Sequence, residues 1–208
     1  MSSCPLAVEI TKIAAGWIET KLTYNGKTYE FPCSTVWARD DFFFLIGVLF
    51  YFHPDHANSY TAEIEHFIEE FDQKNGSHIA KMIWGAEPAI MEWKIERELT
   101  DNLDFKLKIR CRSDFYNDDM STIFETEVPY KSFCYNVIKE VDKAIKRYGF
   151  SGVELGTMSS FNFSLRHFLF LKGYVLDRMD LANAFYAGDR NETFSSFEKE
   201  LELLQLTM

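Results

Sequence analysis

Apolar positions recur along this chain with two different periods, and each change of period marks an element. Between residues 17 and 24 the pattern alternates, with Ile18, Leu22 and Tyr24 on one face, then Asn25-Gly26 and "KTYEF" follow. A β-hairpin is predicted here, because Asn and Gly accept the positive φ of a two-residue turn. "FFFLIGVLFYF", Phe42 to Phe52, is uninterrupted apolar sequence flanked by Asp40, Asp41 and Asp55. At about half the length that spans a bilayer, it is expected to be a core helix, capped at its N-terminus by the aspartates and stopped by Pro54. In "SYTAEIEHFIEEFDQKNG", Ile64, Phe67, Ile68 and Phe71 keep the i, i+3, i+4, i+7 spacing of an amphipathic helix over 60–74, ending near Gly76.

Alternation then returns, and strands are predicted around residues 79–84, 89–99, 103–112 and 121–128. Met91, Trp93, Ile95 and Leu99 alternate with Glu92, Lys94, Glu96 and Glu98; Phe105, Leu107, Ile109 and Cys111 alternate with Lys106, Lys108, Arg110 and Arg112. Placing Leu99 opposite Phe105 sets Glu98 against Lys106, Glu96 against Lys108 and Glu92 against Arg112, with Lys94 facing Arg110. A shift of two residues sets Glu98 against Asp104 and Lys94 against Lys108. Opposite charges across an antiparallel pair contribute roughly 0.2 to 1 kcal/mol each, so the first register is expected.

Pro129 and Ser132 open a helix whose stripe is Phe133, Val137, Ile138, Val141, Ala144, Ile145 and Tyr148, with Lys143, Lys146 and Arg147 near its negative end and Gly149 just beyond. "SFNFSLRHFLFLKGYVL" suits a short helix and a strand, and residues 178–187 a short helix. "ETFSSFEKELELLQL" suits an amphipathic helix with Phe194, Phe197, Leu201 and Leu204 inward. The expected class is α+β: an antiparallel sheet of about five or six strands packed against helices. One domain is expected over 1–208, with residues 1–150 as core sheet and helices and 151–208 as a mostly helical extension.

"WGAEPAIMEW" sets Trp84 and Trp93 around Glu87-Pro88. Any even-length turn at Glu87-Pro88 puts both indoles on one sheet face, where Met82 and Met91 can pack against them. Pro88 lacks an amide hydrogen and suits a turn. The tryptophans therefore read as sheet core, and Glu87 as a turn residue or an anionic contact at the sheet end. The order of hairpin, apolar helix led by Asp-Asp, "WGAEPAIMEWKIERE", "DFKLKIRCR" and "EVPYKSFCYNVIKEVDKAIKRYG" resembles a group of uncharacterised bacterial proteins of similar layout, over roughly residues 15–150. The resemblance implies a layout and no activity. The chain departs from that layout in the acidic stretch at 60–74 and in the long tail after Gly149. By analogy of fold class alone, acidic cytoplasmic bacterial proteins of this kind include immunity proteins that neutralise a basic toxin domain.

Composition narrows the function classes. The chain is 47% hydrophobic and 16% aromatic, enough to build a continuous core, and its net charge of −10 repels phosphate backbones, so nucleic acid is not an expected ligand. Cys4, Cys33, Cys111 and Cys134 stand apart without a CxxC pair, and "MSSCPLAVEITK" lacks the basic start and apolar run of a signal peptide. Reduced thiols, a cytoplasmic location and no membrane contact are expected. "HPDH" brings His53, Asp55 and His56 near Glu63, Glu65 and His66, so a metal-dependent hydrolase using His53, His56 and His66 is one alternative. The spacing is not that of a zinc motif, and HExxH, GxSxG, P-loop and GxGxxG sequences are absent. "DFYNDD", from Asp114 to Asp119, reads as an acidic turn. A Cys134–His167 dyad is set against Cys134 lying beside an apolar stripe, where it reads as core.

Glu63, Glu65, Glu69, Glu70 and Asp72 place carboxylates close together without an intervening Lys or Arg. A patch of this kind raises association rates with a basic protein and selects against acidic competitors. The preferred reading is a non-enzymatic, cytoplasmic protein-binding protein of immunity or antitoxin type. It would contact a basic toxin domain through Glu63, Glu65, Glu69, Glu70, Asp72 and Glu87 and need no cofactor or metal. The alternatives are the small hydrolase above and a structural or interaction domain. The oligomeric state is left open by the sequence.

Overall fold

Two tight turns and one break in a helix fix most of the backbone. They were located in a computed structural model that describes residues 4–34, 42–57, 70–72, 77–86, 89–98, 102–114, 120–157, 164–182 and 196–208, with backbone alone for 70–72 and 151–157. Strands β1 (Leu6–Ala14), β2 (Trp17–Tyr24) and β3 (Lys27–Ser34) form an antiparallel sheet in that order. Asn25 (φ 48°) and Gly26 (φ 76°) make the expected hairpin turn, with Tyr24 opposite Lys27. Ala15 (φ 51°) and Gly16 (φ 81°) make a second such turn, joining β2 to a strand the periodicity does not reveal. Alanine at positive φ carries none of the Asn-Gly signal and costs about 1 kcal/mol or more, so Gly16 is left as the one local mark of the end of β1.

The second sheet has the order β4 (Glu70–Asp72), β5 (Ser77–Ala86), β6 (Ala89–Glu98), β7 (Lys106–Ser113) and β8 (Ser121–Pro129), all antiparallel. The expected single sheet of five or six strands is therefore corrected to two sheets. Alternation counts strands without saying which edges join, and β3 lies beside β5 with no ladder between them. The expected register between β6 and β7 is present, with Glu92 opposite Arg112, Lys94 opposite Arg110 and Glu96 opposite Lys108. Glu92 binds Arg112 at 3.6 Å, while Lys94 turns to Glu96 on its own strand at 3.5 Å. Lys106 and Lys108 pair with Glu127 and Glu125 on β8, at 3.6 and 3.2 Å.

The helix expected over 60–74 is corrected at its end, because Glu70–Asp72 pairs with residues 77–79 as a strand. Asn75-Gly76 is a hairpin signal as well as a helix stop, and here it falls between two paired strands. Residues 58–69 lie outside the described set.

Helix α1 (Phe44–Phe52) is buried along its whole length and packs against β5 and against two helices, α3 (Tyr130–Thr157) and α4 (Leu165–Val175). Its N-cap position is Phe43, and no side chain caps it among the described residues; Asp40 and Asp41, the expected caps, lie outside them. His53 is extended (ψ 136°), as a residue before proline must be, and Pro54 starts the short helix α2 (Pro54–Ala57). The chain turns a corner there.

Helix α3 carries the expected buried stripe from Phe133 to Ile145 and breaks at Gly149 (φ 71°, ψ 166°) before continuing. It is held to the first sheet by Asn136, whose Nδ2 donates to the Leu6 carbonyl at 3.2 Å, and to α1 by the Tyr130 hydroxyl, which donates to the Leu49 carbonyl at 2.7 Å. The stretch expected to hold a strand near 170 is helix α4, capped by Ser164. After α4, Asp177 (φ 57°) turns the chain, the Arg178 amide donates to the Gly173 carbonyl at 2.7 Å, and α5 (Met179–Ala182) packs back on α4.

The last helix, α6 (Phe197–Gln205), was expected to bury Phe197 and Leu201. Instead Leu203 is buried, Leu204 is half-buried, and Phe197 and Leu201 are 74% and 41% exposed; Phe194 lies outside the described residues. Polar anchors set this rotation. Lys172 Nζ donates to Asp142 at 2.6 Å and to the Leu204 carbonyl at 3.2 Å. Lys146 Nζ donates to the other Asp142 oxygen at 2.7 Å and to the Leu206 carbonyl at 3.0 Å. Among the described residues no helix is long and apolar enough to cross a membrane.

Candidate functional site

Trp84 and Trp93 lie in the interior, fully buried, with ring centroids 4.8 Å apart. Trp84 stands opposite Met91 and Met82 opposite Trp93, and Ala86 pairs with Ala89 across the two residues at the corner. Phe42 packs on Trp84 at 5.8 Å, and Phe124 meets Trp93 edge-on at 6.0 Å. Glu87, between the indoles in sequence, is outside the described residues.

The imidazoles gather where α1 turns into α2 and meets α4. Phe50 is sandwiched between His56, at 3.9 Å, and His167, at 4.2 Å between ring centroids. His53 meets Tyr174 at 4.7 Å and Phe170 at 4.9 Å, both edge-on. These rings occupy places a phenyl would fill. Burial first, and the Arg97 guanidinium second, hold His53 down at about 4. Burial first, then His53 and Arg166, hold His56 at about 4 against the pull of Asp55. Both rings are neutral near pH 7. His53 and His56 are 6.1 Å apart by ring centroid, and His66 lies outside the described residues. Among the described residues no group of three or more His, Cys, Asp or Glu side chains could hold a metal ion.

A second imidazole site was not anticipated. His78 and Arg97 are cross-strand partners on the inner face of the sheet, both buried, and the Arg97 guanidinium lies 4.6 Å over the Phe105 ring. Burial, then Arg97, lowers His78 to about 4. The signal was present in the sequence: Arg97 has the parity of Met91, Trp93 and Ile95, and His78 that of Ala80 and Met82. A cation at core parity marks a buried polar centre. The Cys134–His167 pairing is not formed as a reactive dyad. Burial pushes the Cys134 thiol far above its ordinary range, next to Tyr130, while His167 is stacked on Phe50.

The solvent face of the second sheet carries an open cleft of about 470 Å³ where β6 and β7 approach their connecting turn. Glu96, Glu98, Asp104 and Glu127 line it together with Asn102, Phe105, Lys106 and Lys108. Its two lysines are engaged by Glu127 and Glu125. Asp114, first residue of the expected acidic turn, uses Oδ1 to accept from the Ile90 amide at 2.7 Å; residues 115–119 are outside the described set.

Of the expected acidic contacts, Glu63, Glu65 and Glu69 lie outside the described residues, and Glu70 and Asp72 are placed on β4 by backbone alone. The described side chains are nearly balanced in charge. The chain's acidic excess comes from positions beyond them, among them Asp40, Asp41, Glu63, Glu65, Asp118 and Asp119. Comparison with protein-family models, with curated proteins and with solved structures gives no match in any of the three.

Proposed function

We propose that this chain is a non-enzymatic protein-binding protein of immunity or antitoxin type, which holds a basic partner such as a toxin domain through acidic surface. The observation that carries the reading is the open cleft at the β6–β7 end, where Glu96, Glu98, Asp104 and Glu127 surround a space wide enough for lysine or arginine side chains. Its lysines are already tied to Glu127 and Glu125, which leaves Glu98 and Asp104 to set the local field. The net charge of −10 adds long-range attraction for a basic protein. The use of His53, His56, His167 and Cys134 as packing groups further favours binding over bond-breaking.

The test is titration of an oligo-arginine peptide against the wild type, the Glu98→Lys/Asp104→Lys variant, and a charge-matched control, Glu9→Lys/Glu30→Lys, on the first sheet. The cleft variant is expected to lose at least about tenfold more affinity than the control, and mainly through the association rate. Equal losses would remove the cleft from the proposal. The same comparison with Glu65→Lys/Glu69→Lys assigns or dismisses the acidic stretch.

A further inference from the structure

The contact between α1–α2 and α4 is built from imidazoles where phenyl rings would pack equally well. His56 and His167 cover the two faces of Phe50, His56 also meets Phe170 at 4.5 Å, and His53 is wedged against Phe170 and Tyr174. The side chains of His53, His56 and His167 are at most 8% exposed. A neutral imidazole serves as an aromatic ring in such a stack. An imidazolium there keeps little of its hydration.

The described charges facing the stack do not favour protonation. From α2, Asp55 approaches His53 Nδ1 at 3.7 Å, but this carboxylate is 63% exposed. From β6 comes Arg97, buried, and from the start of α4 comes Arg166, 5.5 Å over the Phe50 ring. Tyr130 on α3 and Tyr174 on α4 present neutral phenols beside His53, and His78 on β5 lies at Phe52 next to Arg97. Among the described residues, a proton added here meets two fixed cations and one well-hydrated anion. Another face of α4 is tethered independently, by Lys172, between Phe170 and Tyr174 in sequence, to Asp142 on α3.

We propose that the seam between α1–α2 and α4 is an acid-operated joint: proton uptake by His53 and His56 parts α4 from Phe50, while the Lys172–Asp142 pair keeps α4 tethered to α3. The linkage has a definite sign. Above pH 6.5 both imidazoles are neutral whether the seam is closed or open; below it the open seam takes up protons, and the closed one resists until about pH 4. The closed form therefore loses ground as pH falls through that window, by about tenfold or more for each imidazole at pH 5.

Region-resolved amide hydrogen exchange of the full chain at pH 7 and pH 5, corrected for intrinsic rates, tests this. The expected result is that amides of residues 168–174 lose about tenfold or more of their protection while those of β1–β3, which carry no histidine, keep theirs. Protection lost equally everywhere, or nowhere, overturns the joint. His56→Phe keeps a ring on Phe50 and removes one of the two proton sites, so its α4 amides should lose about tenfold less protection at pH 5 than those of the wild type; unaltered loss would refute the role of His56. If this variant does not fold, imidazole proton NMR of the wild type decides. His53 and His56 titrating between pH 7 and 6 with α4 still protected would overturn the proposal, and resonances that shift only as α4 opens would support it.

Discussion

Replacing Asp142 by asparagine isolates the ion pair that seats the C-terminal helices. Lys172 has no exposed side-chain surface and Asp142 is 5% exposed, so the ammonium depends on this carboxylate and on the Leu204 carbonyl. Breaking one side of a buried pair costs about 3 to 5 kcal/mol, since the remaining charge stays buried. The substituted amide could still accept one hydrogen bond, which brings the expected loss to about 2 to 4 kcal/mol. Lys172→Met should cost far less, about 1 kcal/mol, because Asp142 keeps Lys146 at 2.7 Å and a methionine fills the vacated space. The double variant should be more stable than the sum of the two losses, because it removes the stranded cation. Burial holds the Lys172 amine below its ordinary 10.5, with Asp142 opposing that shift. The folded amine therefore loses its proton before the unfolded one does, and the deficit of Asp142→Asn should shrink as pH rises from 7 toward 10. Urea unfolding at both pH values measures all four proteins. A Lys172→Met loss equal to that of Asp142→Asn, or losses that add, would refute the reasoning.

Two further substitutions probe the packing around this region. A Cβ at Gly173 would lie 2.6 Å from the Ala182 Cβ and 3.0 Å from the Arg178 carbonyl, so Gly173→Ala should force α5 off α4 and cost about 1 to 3 kcal/mol by urea unfolding. Tyr130→Phe removes the buried bond to the Leu49 carbonyl and should lower stability by about 1 to 2 kcal/mol, with the near-ultraviolet circular dichroism otherwise retained.

Elements whose two levels of signal agree were legible in the sequence. Asn25-Gly26 with flanking alternation placed a hairpin, the stripe from Phe133 to Ile145 placed α3, and the charges of Glu92, Glu96, Lys108 and Arg112 selected the observed register. Local pattern failed where tertiary contacts decide. Ala15 turns the chain at positive φ without a turn residue's signature, and Glu70–Asp72 joins a sheet although Phe71 also fits a helical stripe. In α6, Lys146, Lys172 and Arg178 choose the inward face over Phe197, through contacts with residues distant in sequence. The surroundings of the histidines were not legible in the sequence. "HPDH" shows their spacing, but only the packing of Phe50, Phe170 and Tyr174 shows that their rings are stacked and neutral.

A helix that is apolar on every side also bears on how the chain is made. Phe44–Phe52 has no solvent face, and the surfaces that cover it come from β5, α3 and α4, all later in the sequence. During synthesis this run of phenylalanines waits uncovered until Val175 has left the ribosome, which exposes it to association with other chains. Because its covering contacts join distant parts of the chain, closure must also overcome large loop-ordering entropy. Holdase binding to the nascent protein is therefore expected to centre on this helix, and yield on expression should respond more to chaperone supply than to the strength of the mature fold.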